Sequence, residues 1–146
     1  MQMALEEAKK AYAKQETPVG AVLVSGNQII SRMYNKVESF QDATAHAEML
    51  CLKEAAEKLG NWRLLNCTLY CTLQPCLMCA GAVILSRVKT LVWGAPDIRH
   101  GADIALFTHH PIHKVEIRQG ILGEASSDLL KKFFQERRKC KLSLMN

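Results

Sequence analysis

A histidine and a cysteine pair, spaced as ligands of one metal ion, constrain this chain more than any other feature. His46-Ala47-Glu48 is followed, twenty-eight residues past Glu48, by Cys76 in the run Pro75-Cys76-Leu77-Met78-Cys79. One imidazole and two thiolates are ligands that a tetrahedral zinc ion prefers, and they fill three positions where a closed structural site fills four. The fold must therefore carry residue 46 to residues 76 and 79. The fourth position is left for water, whose pKa falls from about 15.7 to about 7 on such an ion. Glu48 stands close enough in sequence to manage the protons. A lone histidine is more commonly a core residue, and a lone cysteine pair a structural half-site. An acid beside an open ligand position tips the balance toward hydrolytic chemistry.

The spacing also says where these residues sit. Cys76 and Cys79 are three apart, so on a helix they share a face, and in its first turn the exposed N–H groups favour thiolate over thiol. His46 and Glu48 are two apart and would lie on nearly opposite faces of a regular helix. They can converge only if the helix begins there, with one side chain on the ion and the other on its water. Two helix starts facing one zinc are expected.

Around these motifs the periodicity predicts a helix over Gln2 to Lys14, ended by Pro18, then strands at Val19 to Val24 and Ile29 to Met33 around a Ser25-Gly26-Asn27 turn. A helix follows from Ala45 to Leu59, with Thr44 or Asp42 as its cap and Gly60 as its stop. Leu69 to Thr72 reads as a strand, and Pro75 as first-turn proline of a helix from Cys76 to Leu85. That helix is apolar nearly all round, so it is expected in the core or against another subunit. Strands at Val88 to Trp93 and Lys114 to Arg118 precede a closing helix over Ser127 to Cys140, with Leu129, Leu130, Phe133 and Phe134 inward. Alternating strands and helices imply an α/β domain around a mixed sheet whose opening hairpin is antiparallel.

Length and composition bound the rest. The 146 residues fit one domain spanning 1–146, with no linker or repeat. No apolar run approaches a membrane span and no signal-peptide core is present, so a soluble protein of a reducing, cytoplasmic compartment is expected. Cys51, Cys67 and Cys71 read as buried inert thiols. The net charge of +5 is concentrated at residues 131–141, where Lys131, Lys132, Arg137, Arg138, Lys139 and Lys141 face Glu136 alone. A basic helix on a balanced body suits a polyanion, although cations near a helix C-terminus also complement its dipole.

His-x-Glu with Pro-Cys-x-x-Cys resembles the signature of the zinc-dependent nucleobase deaminases, whose chemistry is a standard worked example of base flipping. The likeness to the tRNA adenosine deaminases among them runs through most of the chain, in Thr17-Pro18-Val19-Gly20-Ala21-Val22, Asn35, Thr44-Ala45-His46-Ala47-Glu48, Thr68-Leu69-Tyr70, Pro75 to Ala82, Gly94-Ala95, His109-His110-Pro111, Phe133-Phe134 and Arg137-Arg138. The resemblance implies a three-layer α/β/α domain with about five strands. It implies one zinc on His46, Cys76 and Cys79, with Glu48 as catalytic proton carrier. It further implies substrate contacts from Asn35, Asp97, His110, Phe134, Arg137 and Arg138. Taken bare, Asn35 and Asp97 each read first as turn residues, and His109, His110 and His113 as a surface loop without a second metal. Gln74 stands where the family often has glutamate.

The expected partners are the anticodon stem-loop of a tRNA, an arginine tRNA in particular, and a second copy of the chain in a homodimer, with no organic cofactor and no membrane. The competing readings are a free-base or nucleoside deaminase acting on guanine or a cytosine derivative, and a zinc-stabilised RNA-binding module without turnover.

Overall fold

The first helix and the first hairpin dock through small residues. In a computed structural model, which describes residues 1–145, α1 spans Gln2–Ala13 and buries Ala4, Ala8 and Ala11 completely, one stripe at helical spacing. Such short side chains let its backbone lie close to β1 (Gly20–Ser25), which pairs antiparallel with β2 (Gln28–Tyr34). The two-residue turn between them uses Gly26 at φ +59°, a conformation glycine adopts without a Cβ penalty. The register shifts between Leu23 and Val24, a bulge that bends the hairpin.

Two short helices were not anticipated. The first, α2 (Val37–Phe40), precedes α3 (Ala47–Leu59); β3 (Cys67–Leu73), α4 (Leu77–Leu85) and β4 (Thr90–Ala95) follow, then the second short helix α5 (Ile104–Thr108), β5 (Glu116–Gln119) and α6 (Gly123–Ser143). The sheet order is β2-β1-β3-β4-β5, antiparallel from β2 through β3 and parallel from β3 through β5. Helices α1 and α6 pack on one face, while α3 packs on the other with α4 beside it and α5 beside α4. The expected mixed sheet between two helical layers is what forms. Ala21, Leu23, Leu69, Cys71, Leu91 and Trp93 meet Cys51, Leu52, Ala80, Val83 and Ile84 in the principal core. Cys51, Cys67 and Cys71 are all buried there, as expected.

Several boundaries and orientations differ from the sequence reading. The cap of α3 is His46 itself; the Asp42 carboxylate instead accepts from Thr44 N and Oγ1, closing a turn before the helix. Pro75 lies outside α4, because Cys76 takes the cap position. The last strand slides from Lys114–Arg118 to Glu116–Gln119, since its pairing partner β4 fixes Glu116 opposite Thr90. The last helix is longer than 127–140 at both ends. Of its four inward candidates only Phe133 is fully buried, edge-on to Tyr12 at 5.8 Å; Phe134 faces solvent, 44% exposed. Tyr12 also donates to Glu136, joining α1 to α6. Among the described residues no helix is long and apolar enough to cross a membrane.

Candidate active site

The sheet's topology gathers one end of several strands at a single edge. Val19 just before β1, Asn35 just after β2, Leu73 and Gln74 at the end of β3, and Asp97 after β4 all line a cavity of about 440 Å³. Crevices outside the carboxyl ends of strands, where the sheet changes direction, are the usual binding places of such folds. Here the change falls at β3, antiparallel to β1 and parallel to β4.

His46 and Cys76 are the N-cap residues of α3 and α4, both with extended backbone, so the two helices point their first turns into this cavity. His46 Nδ1 lies 3.6 Å from Cys76 Sγ and 3.5 Å from Cys79 Sγ. Ligands on one tetrahedral ion, with Zn–S about 2.3 Å and Zn–N about 2.0–2.1 Å, would be roughly 3.6 Å apart. His46, Cys76 and Cys79 therefore fit a metal ion with little movement, all ligand atoms lying within 4.8 Å of one another. Burial lowers His46 below the ordinary histidine value, which keeps its imidazole neutral and able to ligate. The Cys79 thiol behaves otherwise than its helix position alone implies. Burial pushes it well up, and the Glu48 charge pushes further, so it is a cation that would stabilise the thiolate there.

Glu48, in the first turn of α3, is 4% exposed and lies on the cavity wall between the ligands and the core. Burial pushes its carboxyl up to about 7, against the pull of hydrogen bonds from its own backbone and from Cys79. A group poised there can both take and return a proton near neutrality. A neighbouring divalent cation would draw that value down again.

The remaining expected site residues divide. Asn35 is 7% exposed and lines the cavity. Asp97 also lines it, but its Oδ1 accepts from Arg99 N and His100 N at 3.1 Å each, which makes it the turn residue its bare sequence allows. Phe134, Arg137 and Arg138 line a separate groove with Gln15 and Lys141. His110 is not brought to the cavity. Its loop is anchored where His113 Nε2 meets Val88 O at 2.7 Å, before the start of β4, and the cavity lies at the other end of that strand. His110 Nδ1 accepts from Ile112 N at 3.2 Å, an ordinary loop role.

Two residues that shape the site were given no role in it from the sequence. Gln74 Nε2 donates to Ala102 O at 2.8 Å while its Oε1 accepts from Asp97 N at 3.1 Å, so an amide in place of a carboxylate clamps both ends of the 97–102 loop. Glu16 is fully buried; its Oε1 accepts from Ser39 N and Oγ, both at 2.6 Å, and its Oε2 from Glu38 N at 3.1 Å and Asn35 Nδ2 at 3.3 Å. Although burial opposes ionisation, the donors of Ser39 and Glu38 and the nearby Arg137 charge hold Glu16 below the ordinary carboxylate value of 4.5. A depressed folded value contributes stability that is full above about pH 4.5 and is lost as pH falls through the folded value. Glu16→Gln should therefore flatten the acid limb of the stability curve, read by urea unfolding from about pH 3 to 6. A limb as steep as the wild type's would show that other carboxyls carry it.

With three metal ligands, a buried acid and a cavity at the sheet edge in place, comparison with known proteins decides the family. The profile of the cytidine and deoxycytidylate deaminase zinc-binding region matches residues 1–95. The chain belongs to that family. Its ion is zinc, and His46, Cys76 and Cys79 are the residues positioned for it. Within the family the chain is 48% identical over 97% of its length to a tRNA-specific adenosine deaminase of Bacillus subtilis, covering 90% of that protein, and 44% identical to one of Aquifex aeolicus over 94% of this chain and 93% of the other. It is also 48% identical to the chloroplastic tRNA(adenine(34)) deaminase of Arabidopsis thaliana, of whose length it spans 12%. Among solved structures it matches a chain from work on A-to-I editing by tRNA:A34 deaminases, with a TM-score of 0.84 and 36% identity over 89% of this chain and 97% of that one. A guanine deaminase from Nitrosomonas europaea matches at a TM-score of 0.79 and 26% identity, over 90% and 81% of the two chains.

Proposed function

We propose that this deaminase converts adenosine to inosine at the wobble position of a tRNA anticodon, that of an arginine tRNA. The observation that carries the reading is a buried acid beside three converging metal ligands in one cavity, on a chain whose α6 lines a separate basic groove with an exposed aromatic ring. Zinc, when bound, lowers the pKa of a coordinated water to about 7 and so makes a nucleophile available at neutral pH. Glu48 accepts the first proton that water gives up and hands it to adenine N1 as oxygen adds at C6; it then takes the second proton from the hydroxyl now on C6 and delivers it to the departing amine, leaving a C6 carbonyl. Water is consumed, and ammonia leaves. The target base must leave its stack to reach this depth, as nucleobase deaminases require.

The α6 groove supplies what a small base would not need. Phe134 exposes a ring on which a neighbouring base can stack, and Arg137, Arg138 and Lys141 surround it with positive charge. Arg137 is itself packed 5.4 Å from the Phe133 ring, which holds its guanidinium against the helix. Replacing Arg137 and Arg138 together by alanine should weaken binding of a wobble-adenosine hairpin. It should also reduce the slope of log K against log salt by about one unit per lost phosphate contact. Unchanged affinity and slope in a filter-binding titration would move the RNA interface elsewhere.

The second copy belongs to the α3–α4 side. Leu77 and Leu85 on α4 are 70% and 56% exposed, and Leu85 shares a groove with the exposed Trp62, much apolar surface to leave to water in a functional unit. A homodimer would cover it, and sedimentation tests that directly. The functional test is incubation of zinc-loaded protein with an anticodon hairpin carrying adenosine at the wobble position. Inosine should form. No inosine, with turnover of free guanine instead, would transfer the reading to the activity of the Nitrosomonas europaea relative.

A further inference from the structure

We infer that Glu16 is a positioning residue that sets the orientation of Asn35, so that the cavity wall presents a hydrogen-bond acceptor and selects a donor group on the bound nucleoside. The inference rests on the proposed nucleoside substrate and extends it to what the pocket demands of that substrate beside the reacting ring.

A side-chain amide offers a donor at one end and an acceptor at the other, and on its own nothing fixes which end faces a ligand. Here the choice is made by a neighbour. The Glu16 carboxylate can only accept, and it accepts from Asn35 Nδ2 at 3.3 Å. Rotating the amide by half a turn would set Asn35 Oδ1 against a buried carboxylate oxygen, which is repulsive in a site from which water is excluded. Asn35 Oδ1 therefore points away from Glu16. Among the described residues no donor reaches it, and no buried side-chain oxygen or nitrogen lacks a partner, so this oxygen is the part of Asn35 open to the cavity.

Glu16 is itself held from several directions. Ser39 occupies its other oxygen through both N and Oγ, and Glu38 N shares the oxygen that receives Asn35. Its own N–H donates to Ala11 O at 2.9 Å, fastening it to the end of α1. Asn35 N is pinned to Val19 O at 3.1 Å. The wall formed by Thr17, Asn35, Val37 and Glu38 is thus organised around one carboxylate that does not itself line the cavity. A hydroxyl or N–H of the substrate finds an acceptor there; a group that only accepts does not.

The test is a reciprocal exchange. In Glu16→Gln the new amide satisfies Ser39 with its oxygen and turns its NH2 toward Asn35, which must rotate and show its own NH2 to the cavity. In Asn35→Asp two carboxylates meet, and one must move. In the double variant the amide introduced at position 16 donates to the carboxylate introduced at position 35, whose free oxygen again faces the cavity as an acceptor. Glu38 N loses its acceptor equally in the first and last, so their comparison isolates the bond between positions 16 and 35. With the wobble-adenosine hairpin, each single change should raise KM about tenfold, the scale of one mispaired hydrogen bond, and leave kcat within about threefold. The double variant should recover KM to within about threefold of the wild type. Zinc content and melting temperature are read alongside. Single variants with wild-type KM, losses confined to kcat, or a double variant whose KM is the product of the single effects would each overturn the inference. Failure of the wild type to form inosine on the hairpin would be the failure of the proposed substrate instead.

Discussion

Glu48→Gln should lower the rate of deamination by about 10²–10⁴-fold, the range that a positioned general acid–base contributes, while zinc content stays at the wild-type level. The two halves of this expectation have separate structural grounds. Metal content is independent of the residue because the converging ligand atoms belong to His46, Cys76 and Cys79. The rate depends on it because, within the cavity lining, Glu48 is the buried carboxyl beside those ligands and is poised near neutrality. Glutamine keeps the shape and can still hold a water, but it cannot carry a proton. Nor should the fold suffer, since an amide removes the burden of a buried charge. Zinc by atomic absorption, thermal melting and inosine formation on one preparation give the full comparison. A variant that retains activity within about threefold would remove Glu48 from the proton path. A wild type that binds the hairpin without turnover would leave only the RNA-binding module.

Gly20→Ala should destabilise the chain by about 3 kcal/mol or more, the upper end of what overpacking a close-packed interior costs. A Cβ built at residue 20 would lie 2.0 Å from Ala4 O, 2.6 Å from Ala8 N and 2.8 Å from Glu7 Cβ. Two of these are backbone atoms of α1, so no side chain can swing aside. The helix would have to lift off the hairpin, exposing the Ala4, Ala8 and Ala11 stripe and disturbing the bond from Gly20 N to Thr72 Oγ1 at 3.1 Å. In a domain of this size a loss of that scale lowers the melting temperature by on the order of 10 °C. Its position also carries a functional consequence, since Thr17 and Val19 immediately before it line the cavity. Loss of less than about 1 kcal/mol in urea unfolding would mean that α1 is free to shift.

Long elements were legible because their apolar spacing and their burial agree. The strands of the sheet, α1, α3 and α4 all stand close to where period and turn residues put them. The short helices were not. Four or five residues show no stripe, and α2 owes its start to Glu16, a partner more than twenty residues away in sequence that accepts from Glu38 N and Ser39 N. In α5 a local cue existed, since Asp103 Oδ1 accepts from Ala105 N at 2.8 Å, and an aspartate cap could have been read there. Phe134 looked like core because it neighbours Phe133, yet adjacent residues on a helix point about 100° apart, and of the two rings it is Phe133 that packs on Tyr12 of α1.

The chemistry of the site was carried by the sequence itself. His46, Glu48, Cys76 and Cys79 are unusual residue types at spacings that few arrangements explain, and the conflict between His46 and Glu48 on a regular helix already required a helix to begin between them and the chain before. Only the tertiary structure decided what surrounds that centre. It set His110 at the far end of β4, made Gln74 the clamp of the 97–102 loop, and placed Glu16 behind Asn35. The reason is physical. Metal ligands announce themselves by type and local spacing, whereas a buried carboxylate is stable only through donors that the fold brings from distant parts of the chain, and those pairings have no period to read.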